Sequence, residues 1–265
     1  MNGVLPRIAA AARSERGTRH ANEDATCVLQ EDGLWVAALA DGAGGHRDGA
    51  EASRRAVAQL ESALHRASPP FEAGSLTGAV LAAHASVRAG LQAEGVDHMH
   101  STIVVLWIDA ALGALWSHVG DSRLYRARGG RVDLMTVDDS VVQRMVEAGL
   151  LTPEQALSHP RKNQLVAALG IAEELQPHTV ALPVPIEEGD AFLLCSDGWW
   201  NGLDDDCITG TLAQARSPDD WLDAMRRRIE SLALPRQDNF SAIGLWIGDA
   251  GEVTRPRLKA LVSSG

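Results

Sequence analysis

Five aspartates stand at the edges of short apolar runs: Asp24, Asp41, Asp121, Asp197 and Asp238. Asp41 and Asp197 each follow a strand-like run and precede a glycine. Asp121 follows Val119-Gly120, and Asp238-Asn239 comes just before the last run. Loops at strand ends, held by a rigid scaffold, are where functional groups concentrate. Any single Asp-Gly or Gly-Asp is also a common turn dipeptide, but this set shares features that turns do not require. Asp41 opens Asp41-Gly42-Ala43-Gly44-Gly45-His46, where glycines allow close backbone approach and leave a carbonyl free. Arg19 precedes Glu23 by four residues, an isolated cation whose guanidinium could grip a phosphate bidentately. Carboxylates brought together repel one another unless a cation joins them. Oxygen-only ligation suits Mg²⁺ or Mn²⁺ rather than Zn²⁺.

The runs between these aspartates indicate the scaffold. Residues 35–40 are apolar and are predicted to form a strand that turns at Asp41-Gly42. Small and aliphatic residues at four-residue spacing, Ala52, Ala56, Leu60 and Leu64, predict a helix over 48–67, and 76–91 passes the same test. Strands are expected at 102–108, 114–119 and 123–127, with Gly129-Gly130 turning the last into a short strand at 132–135. A helix over 141–148 ends at Gly149, and Pro153 opens another. Further strands are expected at 179–182, 191–195 and 241–247, and a helix at 218–232 capped by Ser217. Neighbouring strands joined by tight turns, with helices grouped between them, point to an α+β chain of antiparallel sheets with helices outside. One domain is expected over residues 1–248, with a loose tail at 249–265.

Composition narrows the partners. The net charge of −11 over 265 residues is badly suited to nucleic acid, which is held through clustered Lys and Arg. Hydrophobic residues at 45% suffice for a sizeable core. Three cysteines without a CxxC pair imply no disulfide framework. No apolar stretch reaches the roughly 18 residues of a membrane helix, and the first residues lack the apolar core of a signal peptide. A cytoplasmic protein, monomeric by default, is expected.

In order, Arg19-x-x-Asn22-Glu23-Asp24, Asp41-Gly42-x-Gly44-Gly45, Gly120-Asp121-Ser122-Arg123-x-Tyr125, Ser196-Asp197-Gly198 and Asp238-Asn239 run along the chain. This series resembles the motifs of the metal-dependent Ser/Thr protein phosphatases (PPM, type 2C), in their bacterial branch. Ser101-Thr102, and His159-Pro160-Arg161-Lys162-Asn163 leading to Ala168-Leu169-Gly170, resemble further motifs of that branch. The resemblance spans residues 19–247. It implies a four-layer αββα sandwich with a two-metal centre at one edge, holding Mn²⁺ or Mg²⁺. By motif position, Asp41 would bridge both ions and the Gly42 carbonyl would bind one. Asp197 and Asp238 would complete the shell of the first ion, and Glu23 and Asp24 would act on or near the second, partly through water. Asp121 with Asp197 would hold a third ion, and Arg19 the substrate phosphate. The implied reaction is hydrolysis of phosphoserine or phosphothreonine on proteins through a metal-bridging water, opposing a bacterial Ser/Thr kinase.

Two positions depart from the pattern. Ala43 stands where eukaryotic members often carry a proton-donating histidine, and Asp139 stands where many bacterial relatives carry histidine. Rival readings are weaker. Gly120-Asp121-Ser122 as an esterase nucleophile block would need a late histidine, and the last is His178. Asp204-Asp205-Asp206 lacks calcium-loop spacing and suits a helix start. His46 and His159 flank motifs, whereas His65, His84 and His118 are expected on the surface or in packing; Trp199-Trp200 is expected to anchor the Asp197 loop. A non-catalytic binding module would be marked by a lost ligand, and none is lost. A phosphatase dedicated to one regulator, such as an anti-sigma-factor antagonist, is the alternative within the same chemistry.

Overall fold

Strands covered on both faces carry continuous apolar runs instead of alternating ones, and the central strands of this chain do so. In the computed structural model, which describes residues 6–43, 47–94, 99–171 and 174–254, these runs form two facing antiparallel sheets. The first half of the chain supplies β1 (Ile8–Glu15), β2 (Asp24–Glu31), β3 (Leu34–Ala43), α1 (Arg47–Glu61), α2 (Ala73–Glu94), β4 (His100–Ser101), β5 (Ile103–Asp109) and β6 (Gly113–Val119). There follow β7 (Arg123–Arg128), β8 (Arg131–Leu134), α3 (Val141–Glu147), α4 (Pro153–Leu157), β9 (His178–Thr179) and β10 (Ala191–Cys195). The chain continues through α5 (Asp197–Trp200), α6 (Asp205–Gln214), α7 (Pro218–Ser231), β11 (Phe240–Ile247) and α8 (Ala250–Thr254).

One sheet has the order β1-β11-β10-β7-β8 and the other β2-β3-β5-β6-β9, with β4 added beside the end of β3. The period of two along each strand divides its residues between layers. Trp35, Ala37 and Leu39 of β3 point between the sheets, where they meet Phe192, Leu194, Ile243 and Leu245. Val36, Ala38 and Ala40 point the other way, onto Ala52, Ala56 and Leu60 of α1 and Leu76 and Val80 of α2. On the opposite outer face, Leu193, Ala242 and Trp246 pack against Ile208, Leu212, Trp221 and Met225 of α6 and α7. Helix, sheet, sheet and helix thus form the expected four layers.

Local chemistry starts and stops the helices, at Ser217 and Gly149 as anticipated. Ser217 caps α7 by accepting the Asp220 N–H at 3.1 Å, and Thr152 and Gln155 cap α4 reciprocally. Gly149, at φ +70°, takes the left-handed conformation that ends α3. Three expectations need correction. β3 does not turn at Asp41-Gly42: it continues to Ala43, because β2 and β4 pair with its end, Asp24 opposite Asp41 and Ser101 opposite Gly42. Asp197-Gly198 is the first turn of α5. The strand expected at 179–182 is confined to His178–Thr179. Part of the expected tail, Ala250–Thr254, is helical and rests on α6, with Ala250 buried; residues 255–265 lie outside the described residues. All three cysteines are unpaired. Among the described residues no helix is long and apolar enough to cross a membrane.

Leu39 is fully buried between the sheets on the strand that carries Asp41. Leu39→Ala is expected to lower the unfolding free energy by about 2–5 kcal/mol through lost transfer energy and a residual cavity. Urea denaturation should show the midpoint falling with an unchanged slope.

Candidate metal centre

One end of the sandwich gathers the predicted side chains. A cavity of about 290 Å³ is lined by Arg19, Glu23, Asp41, Gly42, Asp121, Asp197 and Asp238, together with Ala43, Thr102, Asn163, Leu165 and Asn239. Asp24 stands just behind it. Its Oδ2 accepts the Ser196 hydroxyl at 2.9 Å, while its Oδ1 is buried without a hydrogen-bond partner. Gly44, Gly45 and His46 lie outside the described residues. His159 is half-buried, accepts the Arg161 N–H at 3.2 Å, and does not line the cavity.

The backbone at each ligand position is tied down by neighbours distant in sequence. The Asp41 N–H donates to Thr102 Oγ1 at 3.0 Å, and the Asp41 carbonyl accepts the Ser101 hydroxyl at 3.0 Å and the Thr102 N–H at 2.8 Å. Asn239 clamps the opposite wall: its Oδ1 accepts the Glu23 N–H, and its Nδ2 donates to the carbonyls of Arg16 and Ala21. Glu23 is held again by the Ser53 hydroxyl and the Gly42 N–H, both donating to its carbonyl. Gly42 has no substitute, since a Cβ there would lie 1.9 Å from the Gly49 carbonyl oxygen. Gly198 is equally constrained, its imagined Cβ lying 2.1 Å from the Asn239 carbonyl oxygen.

The Gly120-Asp121 loop hangs on a second network. Trp200 Nε1 donates to the Asp121 carbonyl at 2.9 Å, and Arg123 lies 3.6 Å over the Trp200 ring while pairing bidentately with Asp138. Trp200 therefore reaches from the Asp197 helix to the Asp121 loop, in keeping with the anchoring role expected of Trp199-Trp200. Thr102, Ser196, Asn163 and Asn239 have roles here that motif spacing did not assign, although all four belong to the quoted motifs.

Electrostatics make this arrangement expensive without a cation. Asp24 and Asp41 are directly opposed across β2 and β3, where like charges destabilise. Burial and the neighbouring carboxylates Asp197 and Asp238 push Asp24 up to about 7, against the stabilising hydroxyls of Ser241 and Ser196. Burial, then Asp24 and Asp197, hold Asp41 well above the carboxylate range, and burial with Asp197 does the same to Asp121. Asp197 rises to about 6 through burial and Asp238, opposed by the Lys162 charge. Arg19 donates to Asp238 at 2.6 Å, but its side chain is 62% exposed and so free to turn towards an incoming anion. A dense set of oxygen donors, one buried and orphaned, in a pocket of excess negative charge fits hard divalent ions.

A carboxyl group whose folded-state pKa is raised binds its proton more tightly in the native state, so stability falls as pH climbs from the unfolded value to the folded one. For Asp24 that window runs from 3.8 to about 7, and for Asp197 from 3.8 to about 6. Chelator-treated protein should therefore melt at lower temperature at about pH 7.5 than at about pH 5, and Mn²⁺ should recover the difference at the higher pH. Melting that is independent of pH and of Mn²⁺ would contradict this electrostatic account.

The protein phosphatase 2C family model matches residues 12–238. The serine/threonine phosphatase stp of Listeria welshimeri is 30% identical over 237 residues, covering 87% of this chain and 92% of that protein. The serine/threonine protein phosphatase PstP of Mycobacterium tuberculosis is 35% identical over 205 residues, 76% of this chain; the match spans only 38% of its own length. A crystal structure of the catalytic domain of serine threonine protein phosphatase PstP with two manganese ions superposes with a TM-score of 0.77 at 30% identity, covering 91% of this chain and 99% of that one.

Proposed function

This chain belongs to the protein phosphatase 2C family, and from that membership we propose that it hydrolyses phosphoserine and phosphothreonine on proteins with Mn²⁺ or Mg²⁺. The observation that carries the reading is the convergence of Asp41, Asp121, Asp197 and Asp238 with Glu23 and Arg19 around one cavity. The bacterial relatives named as Ser/Thr phosphatases support it.

In this reading Asp41, the Gly42 carbonyl, Asp197 and Asp238 hold the ions, with Glu23 and Asp24 beside them and Asp121 with Asp197 serving a third. Divalent ions held there would supply Lewis acidity towards the phosphoryl oxygens and an acidified water for in-line attack. Arg19 turns from Asp238 to the phosphate and neutralises its equatorial oxygens with paired N–H donors. Asp238 is thereby released from its ion pair as the substrate arrives. Asn239 and Thr102 act on the geometry, fixing the backbones of Glu23 and Asp41 so that the carboxylates cannot relax apart. Ala43 lines the cavity with a methyl group, so this position offers no proton to the departing serine or threonine oxygen. No phosphoenzyme is needed, and no Ser or Cys nucleophile is assigned. The physiological setting that fits is a cytoplasmic monomer opposing a Ser/Thr kinase.

Phosphate release from a phosphothreonine peptide tests the reading. Turnover should require Mn²⁺ or Mg²⁺ and stop with chelator. Asp41→Asn should lower kcat by about 10²–10³-fold or more, on the scale of a lost electrostatic stabiliser. Arg19→Ala should lower kcat/KM by about 10- to 100-fold, as expected for a hydrogen bond to a charged group worth about 1.5–3 kcal/mol. Turnover indifferent to chelator, or to Asp41→Asn, would overturn the assignment.

A further inference from the structure

Away from the cavity, β6 and β9 pair so that His118 and His178 are directly opposed. Their rings stack with centroids 4.9 Å apart and 22° between planes. Asp139, just ahead of α3, completes the group: one donor atom from each of the three residues falls within 4.8 Å of the others. None of the three lines the carboxylate cavity.

The hydrogen bonds assign the protons. His118 Nε2 lies 2.8 Å from the Val137 carbonyl, which can only accept, so Nε2 carries the hydrogen. The lone pair is then on Nδ1, which is buried and has no hydrogen-bond partner. A histidine that donates one ring N–H to a carbonyl has its other nitrogen left as the ligand atom, as in metal-binding histidines. Burial also holds His118 below the usual histidine range, favouring the neutral ring that a ligand needs. Asp139 is rigid: its N–H donates to the Gly120 carbonyl at 2.9 Å, its Oδ2 accepts the Gly120 N–H at 3.1 Å, and its carbonyl accepts the Val166 N–H. Its Oδ1 faces His178 Nε2 at 3.0 Å. Two ligands of one tetrahedral ion with bonds of about 2.0 Å stand about 3.3 Å apart, close to that separation. The other charge facing Asp139 is Arg144, 3.8 Å away on an exposed side chain that is also paired with Glu147 and can withdraw.

We propose that His118, Asp139 and His178 form a second metal site, which takes a Zn²⁺-class transition ion with water in the remaining position. Two imidazoles and one carboxylate favour such an ion, whereas the cavity offers oxygen alone and suits Mg²⁺ or Mn²⁺. Through the paired hydrogen bonds of Asp139 and Gly120, an ion here braces the residue next to Asp121. The site thus joins a borderline-metal centre to the loop of the hard-metal centre.

Zn²⁺ titration of the chelator-stripped full chain by calorimetry tests this, in excess Mg²⁺ to occupy the oxygen-only cavity. One Zn²⁺ equivalent should bind to the wild type and to Asp41→Asn. His178→Ala, at a half-exposed position, should weaken that binding by about tenfold or more, as should Asp139→Asn, which keeps the side-chain shape. Circular dichroism checks that each variant is folded. Absence of Zn²⁺ binding in excess Mg²⁺, binding that survives both His178→Ala and Asp139→Asn, or binding lost in Asp41→Asn would each overturn the proposal. None of these readouts depends on phosphatase activity.

Discussion

Mutual repulsion among buried carboxylates governs this structure. Asp24 and Asp41 face each other across paired strands, and Asp121, Asp197 and Asp238 close round the same space. Left to themselves such groups move apart, admit water or take up protons. The raised proton affinities of Asp24, Asp41, Asp121 and Asp197 show the third response when no cation is present. A pocket that holds protons against neutral pH is equally a pocket that holds divalent ions, since both relieve the same excess charge.

The sandwich prevents the first two responses. β3 is buried on both faces, between α1 and α2 on one side and the second sheet on the other, so it cannot shift register without moving a core. Its end is gripped by Ser101 and Thr102, and the facing wall by Asn239. Gly42 and Gly198 let two backbones approach where any side chain would collide with a carbonyl. Rigidity of this kind lets a strained charge cluster persist, and local rules are broken where function requires it.

The central elements were legible because burial on both faces leaves a plain mark: residues 35–40, 103–108 and 191–195 are unbroken apolar runs, and 114–119 is interrupted only by Ser117 and His118. β1 was not legible, since Ala9, Ala10, Ala11 and Ala12 are poor strand formers and are held by pairing with β11. The turn expected at Asp41-Gly42 failed for a related reason. The dipeptide favours a turn in isolation, but pairing with β2 and β4 overrides that preference. Asp41, Asp121 and Asp197 could be recognised because a carboxylate beside glycine at a strand end has a chemical meaning of its own. Asn239 and Ser196 stood inside quoted motifs, but their roles were not legible: their hydrogen bonds reach Glu23 and Asp24, 216 and 172 residues away.

What the amino-acid order determined alone was donor chemistry and layer type: oxygen ligands for hard cations, and antiparallel strands with helices outside. Both follow from residue identity and local periodicity, which need no knowledge of distant neighbours. Tertiary structure decided which carboxylates oppose one another and how their charge is tuned, because burial and repulsion depend on through-space distance. It also brought His118, Asp139 and His178 together. Separately, these residues suggest packing and surface; strand pairing between β6 and β9 and the Asp139–Gly120 clamp make them a cluster.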